Sequence, residues 1–152
     1  MSKAVAIPMR PSDATASGRV LIIDDEHEIR ESLQTLLELE GYSVTTACNG
    51  ADGLEQAANE PHDLVLLDYA LPDMNGMEVL RELQERDCQL AVIMITAYGT
   101  VENAVSAIRC GAVNFIQKPW DNDKLLADVQ SAIATRRVKE ENVQLKRALK
   151  QR

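Results

Sequence analysis

The sequence predicts an α/β fold, a doubly wound sheet of five parallel strands. Three observations carry this. Apolar, β-branched runs alternate five times with segments of helical periodicity. Several of those runs are apolar throughout, which suits strands covered on both faces. Four of the five runs also end in polar or charged residues, as expected of a sheet whose carboxyl rim carries a site.

The elements follow in order. Pro8, Pro11 and a Ser/Ala/Thr-rich run make residues 1–17 a flexible N-terminal tail. "RVLIID" (Arg19 to Asp24) is a buried strand. Ile29, Leu33, Leu36 and Leu37 recur at helical spacing, and Gly41 stops that helix. "YSVTTA" alternates like a strand, and "GADGLEQAANE" suits a short helix. "DLVLLD" is the third strand, and Met77, Leu80 and Leu83 mark the next helix. "LAVIMIT" is a strand, and Val101, Ala104, Val105 and Ile108 mark a helix capped by Gly111. "VNFIQK" is the fifth strand. A last helix starts near Asp121 and meets no breaker before Arg152.

Composition narrows the function. Of the 152 residues 45% are hydrophobic, enough for one core, and with one Trp, three Tyr and one Phe that core is aliphatic. Between Gly18 and Ala132 there are 21 acidic and 7 basic residues, whereas Ile133 to Arg152 has 7 basic and 2 acidic. So acidic a body argues against direct nucleic-acid binding and for a metal cation. Cys48, Cys88 and Cys110 form no C-x-x-C pair, which predicts small buried free thiols in a reducing compartment. No run approaches the roughly 20 apolar residues of a membrane span. The expected location is cytoplasmic, with no membrane partner.

Asp68 ends a run of four apolar residues, and a carboxylate buried there needs partners. The strand ends supply them. The first strand ends in Asp24 and Asp25, the third in Asp68, the fourth in Thr96 and the fifth in Lys118. In an open parallel sheet these five residues meet at one rim. Clustered carboxylates repel one another, and hard oxygen ligands select Mg²⁺ over zinc. The metal and Lys118 would neutralise phosphoryl oxygens, Thr96 would bond one of them, and Asp68 would be the nucleophile that forms an acyl phosphate.

"VLIIDDE", "DLVLLDYALPDMNG", "MITAYG" and "NFIQKPW", taken in this order, resemble the receiver domain of bacterial response regulators over roughly Arg19 to Ala134. The resemblance implies strand order 2-1-3-4-5 and a two-component signalling role, with Asp68 accepting phosphate from a partner histidine kinase. It implies that Asp24, Asp25, Asp68 and the backbone carbonyl of Ala70 hold Mg²⁺ (or Mn²⁺), and that Thr96 and Lys118 contact the phosphoryl group. It makes Phe115 the switch aromatic and implies a cis peptide at Lys118-Pro119. Ala97 is small enough to leave room for phosphate. Ala70 is small where the family often has a larger polar residue, which leaves open the lifetime of an acyl phosphate. His27 and His62 read as solvated side chains rather than phosphorelay donors.

The chain reads as a receiver over residues 18–135 followed by a helical linker over 136–152. Val138, Asn142, Leu145 and Leu149 step by 4, 3 and 4, the pattern of a short two-stranded seam with Asn at an a position. A homodimer through the receiver and this helix is the expected assembly. "GTVENAVSAIRCGAVNFIQKPW" and the charged helix after it resemble receivers of enhancer-binding AAA+ activators, although no phosphate-binding G-x-x-x-x-G-K-[ST] occurs here. Transcription control is the expected output. Two other readings carry their own signatures. An aspartyl phosphatase of the haloacid dehalogenase type wants an acid two residues after its nucleophile, where this chain has Ala70. A receiver-like dimeriser that is never phosphorylated would lack an acid or the lysine, and none is missing.

Overall fold

A strand buried at every position must be covered on both faces, and the computed structural model, which describes residues 18–150 with side chains to Arg136, contains two of them. β3 (Leu64–Asp68) and β4 (Ala91–Thr96) are buried throughout. They stand beside β1 (Arg19–Ile23), β2 (Ser43–Ala47) and β5 (Asn114–Gln117) in one parallel sheet ordered β2-β1-β3-β4-β5, the order implied by the resemblance. Between the strands run α1 (His27–Leu39), α2 (Gly50–Asn59), α3 (Gly76–Arg86) and α4 (Val101–Arg109). α5 (Asn122–Lys150) follows the last strand.

The two-residue period of a strand divides its side chains between two cores. Val20, Ile22, Leu64, Leu66, Ile93 and Ile95 point to one face, where Leu33 and Leu37 of α1 and Leu125, Val129 and Ile133 of α5 cover them. Leu21, Ile23, Val65, Leu67, Val92 and Met94 point to the other, under Leu54 of α2, Val79, Leu80 and Leu83 of α3, and Ala107 of α4. Local signals set the helix ends. Asn49, Asn75 and Thr100 accept backbone N–H bonds at the starts of α2, α3 and α4, and Glu78 completes a capping box with Asn75. Gly41 and Gly111 end α1 and α4 at positive φ, as their sequence positions predict.

Two expectations need correction, and the face of α4 adds an observation. His62 is buried, 7% exposed, rather than solvated. Its ring lines a cavity of about 90 Å³ among Ala57, Pro61, Leu83 and Leu90, and neither ring nitrogen has a hydrogen-bond partner among the described residues. Burial and the nearby Arg19 hold it below the usual histidine range, in a cavity that Arg86, Asp87 and Arg136 also line. Cys48 and Cys88 are exposed and Cys110 half-buried, because they lie in connections that run over the surface. The thiols are free, as expected. The apolar positions that mark α4 are largely uncovered: Val101, Val105 and Ile108 are 79, 43 and 49% exposed.

α5 starts at Asn122, one residue after the expected point, and continues to Lys150. Residues 1–17 and the side chains of Val138, Asn142, Leu145 and Leu149 lie outside the described residues, so the tail and seam readings are not addressed. Among the described residues no helix is long and apolar enough to cross a membrane.

Leu66→Ala empties a fully buried position in the middle of the sheet. It should cost roughly 2–5 kcal/mol in urea unfolding. Leu39→Ala, at a position 79% exposed on α1, should stay within about 0.5 kcal/mol.

Candidate phosphoacceptor site

The sheet carries the ends of β1, β3 and β5 to a common rim, and there the sequence-predicted residues meet. Asp24 is fully buried and Asp68 is 4% exposed. One carboxylate oxygen from each of Asp24, Asp25, Glu26 and Asp68 lies within 4.8 Å of the others. Lys118 reaches into this group from just beyond β5. Its ammonium donates to Asp24 Oδ2 at 2.8 Å and Glu26 Oε1 at 3.0 Å, and stands 3.5 Å from Asp68 Oδ2. Asp24 also accepts from the Glu26 N–H at 2.8 Å, while its carbonyl accepts from Arg30 at 2.7 Å, so its orientation is fixed from both ends. The Lys118-Pro119 peptide is cis.

The other predicted residues surround this cluster at different depths. Thr96, fully buried, ends β4 one residue beyond the partner of Asp68, and its hydroxyl accepts from the Tyr98 N–H at 3.0 Å. Ala97 follows it on the exposed rim. Ala70 is exposed beside Asp68, its N–H 3.5 Å from Asp68 Oδ1. Phe115 is not in the cluster: it sits on β5 opposite Met94, half-buried against the second core.

The electrostatics follow from this packing. Burial first, and the Asp24 charge second, push the Asp68 carboxyl up from 3.8 to about 6; Lys118 and the Ala70 N–H oppose the rise without cancelling it. Burial pulls Lys118 down, but its hydrogen bonds to Asp24 and Glu26 and the charges of Asp24 and Asp68 outweigh that, and the net direction is up. Asp68 is therefore an under-neutralised carboxylate near neutral pH. A divalent cation suits the donor set, which is all hard oxygen and carries more negative charge than Lys118 supplies.

Three contributors were not singled out from the sequence. Glu26 takes one of the hydrogen bonds of Lys118. The "DDE" run was its signal, but a third acid next to two others reads as solvated loop. Asp73 accepts from the Gly50 and Ala51 N–H groups at 2.8 and 2.9 Å, pinning the β3–α3 loop to the N-terminus of α2. The bond from Ala51, then that from Gly50, holds its carboxyl below the usual range. Gly76 runs against the acceptor itself: a Cβ there would lie 2.4 Å from the Asp68 carbonyl oxygen and 2.8 Å from Tyr69 Cα. The N–H of Gly76 donates to the Tyr69 carbonyl at 2.8 Å.

Comparison with known proteins identifies the family. The family model for the response regulator receiver domain matches residues 20–130. The chain belongs to this family. The receiver is 41% identical over 126 residues to the uncharacterized transcriptional regulatory protein YkoG of Bacillus subtilis, covering 83% of this chain and 55% of that one. It is 40% identical over 135 residues to the regulatory protein AtoC of Escherichia coli, covering 89% of this chain and 29% of that one. It thus spans about half or less of the length of these relatives. Among solved structures, a CheY-like receiver domain protein from Methanospirillum hungatei superposes with a TM-score of 0.77 at 35% identity, covering 80% of this chain and 97% of that one. The chain is a response regulator receiver domain homologous to transcriptional regulators, and signalling in this family depends on phosphorylation.

Two measurements check the site. The folded chain keeps a proton on Asp68 up to about pH 6, while an unfolded chain releases it near 3.8. Between these values the folded state binds more protons, so this contribution to stability is full below about pH 4 and is lost as pH rises through 6. Asp68→Asn should therefore stabilise the metal-free protein by on the order of 1–3 kcal/mol at about pH 7.5, and the gain should vanish at about pH 4. Gly76→Ala should destabilise by about 1–3 kcal/mol, although alanine is favoured over glycine in helices by about 1 kcal/mol; urea titration gives the sign.

Proposed function

We propose that the receiver takes a phosphoryl group from the phosphohistidine of a partner sensor kinase onto Asp68. The observation that carries this is the buried Asp68 carboxylate, poised beside Lys118 and three further acids at the carboxyl rim. An oxygen of Asp68 attacks phosphorus, the P–N bond to the donor imidazole breaks, and the imidazole nitrogen keeps the electron pair. The Lys118 ammonium neutralises charge on the transferring phosphoryl oxygens, and the Thr96 hydroxyl exchanges its contact with the Tyr98 N–H for one of them. Asp24, Asp25, Asp68 and the Ala70 carbonyl are the ligands for Mg²⁺ (or Mn²⁺), which, when bound, neutralises the clustered carboxylates and polarises the phosphoryl group. Ala97 leaves the space that group occupies. The domain is in this reading a signalling acceptor rather than a turnover enzyme, apart from slow loss of its own phosphate.

The output follows from what moves. Thr96 and Phe115 lie on adjacent strands beside α4, whose Val101, Val105 and Ile108 are uncovered. Rearrangement of Thr96 and Phe115 alters this face, and we assign it to pairing of two receivers, aided by the Val138–Leu149 seam. The names of the relatives as regulatory proteins support transcription control as the output. Direct contact of this chain with nucleic acid is not part of the reading, given its acidic body.

Acetyl phosphate with Mg²⁺ should add one phosphoryl group, read by intact-mass spectrometry. Asp68→Asn should abolish labelling, and Asp25→Ala or a chelator should slow it by roughly 10²-fold or more while circular dichroism stays native. Equal labelling of the Asn variant would overturn the assignment.

A further inference from the structure

The α5 stripe that packs on the sheet runs through Leu125, Val129, Ala132 and Ile133, all buried. The next position on that stripe is Arg136, a charged residue, yet its side chain is only 12% exposed. Its guanidinium spans two carboxylates from different elements, with Nη1 3.4 Å from Asp63 Oδ1 and Nη2 3.2 Å from Asp87 Oδ2. Both carboxylates are themselves held. Asp63 Oδ2 accepts from the Arg19 N–H at 2.8 Å, and the Asp63 N–H donates to the Arg19 carbonyl at 2.8 Å, tying Asp63 to the foot of β1. Asp87 closes α3 through its N–H to Leu83, while its Oδ1 accepts from the Gln89 N–H at 3.0 Å.

We propose that Arg136 is a latch: gripped by Asp63 and Asp87, it sets the direction and rotation in which α5 leaves the receiver, and couples that helix to Asp68. The coupling rests on the phosphoacceptor reading; the latch does not.

Each leg of the latch is one end of a rigid element whose other end is at the site. Asp63 immediately precedes β3, and β3 ends in Asp68 about 17 Å away. Asp87 immediately follows α3, and α3 begins at Gly76, in contact with the Asp68 carbonyl. A shift of β3 against α3 at the acceptor therefore reaches Asp63 and Asp87 as a change in their separation. A guanidinium bridging both registers that change, because its planar fork has fixed geometry and stays charged. The helix has a second use for this precision. At about 100° per residue, positions 138, 142, 145 and 149 fall on the side of α5 roughly opposite Arg136. The latch thus faces the receiver while the seam positions face away, and turning the helix at Arg136 re-aims the seam.

The test uses the 152-residue chain and hydrogen exchange. Arg136→Ala, and separately Asp63→Asn combined with Asp87→Asn, should speed exchange over residues 137–150 by about tenfold or more. Amides of β1 and β4 should stay protected, and acetyl phosphate should label Asp68 at close to the normal rate. Arg136→Lys keeps the charge without the fork and should give an intermediate effect. Lys124→Ala, which breaks an exposed ion pair to Asp128 on the same helix, should change nothing over 137–150. With Mg²⁺ and beryllofluoride, a mimic of the acyl phosphate, exchange over 137–150 should change in the wild type and stay unchanged in Arg136→Ala, a difference that lost packing alone does not produce. Wild-type exchange in either latch variant overturns the latch. A beryllofluoride response that survives in Arg136→Ala, or is missing in a wild type that acetyl phosphate labels, overturns the coupling. A wild type that acetyl phosphate fails to label overturns the phosphoacceptor reading instead, with the exchange of the unliganded variants still reporting on the latch.

Discussion

The ammonium of Lys118 is the interaction on which the site depends. It stands within 3.5 Å of carboxylates from Asp24, Glu26 and Asp68, and it arrives there because β1, β3 and β5 bring their carboxyl ends to one rim of a parallel sheet. The fold gathers charges that water would keep apart. Burying the acids costs free energy that one lysine does not repay, and the apolar strands beneath must hold them together. The result is a carboxylate ready to gain from any added positive charge or from conversion to a different chemical state. The raised proton affinity of Asp68 is the equilibrium trace of that tension.

What could be read from the sequence divides along physical lines. Strands covered on both faces declare themselves as unbroken apolar runs, and β3 and β4 stand where "DLVLLD" and "LAVIMIT" put them. Site residues at strand ends were legible for the same reason, since each polar residue interrupts an apolar run at a known point of the fold. The grip of Glu26, Asp73 and Arg136 was hidden because it depends on distances between elements far apart in the chain. Asp73 bonds residues 22 and 23 positions before it, and Arg136 bonds partners 49 and 73 before it. His62 was misread because its residue type says polar while its position says core. The apolar marks of α4 were real helix signals, but periodicity reports that one face is apolar, not that something covers it.

The molecule has two ends of different character. At the carboxyl rim, groups are brought together in excess of what satisfies them. At the foot, Arg136 pairs with Asp63 and Asp87 and ties α5 back to the sheet. A small local event at the rim is thus conveyed to the foot through the stiff elements β3 and α3 rather than through soft loops.

The β3–α3 connection illustrates how misleading surface composition can be. With Pro72, Asp73, Asn75 and Gly76 it reads as a loop free to vary in length. Yet Ala70 bridges Asn75, Gly76 is pressed against Asp68, and Asp73 is fastened to α2. Ala70, Asp73, Asn75 and Gly76 are each held by a contact on one side or the other. Leu71 and Met74 pack against the second core as well, so the segment cannot gain or lose a residue without moving the acceptor. Its length is constrained physically as a buried strand's is.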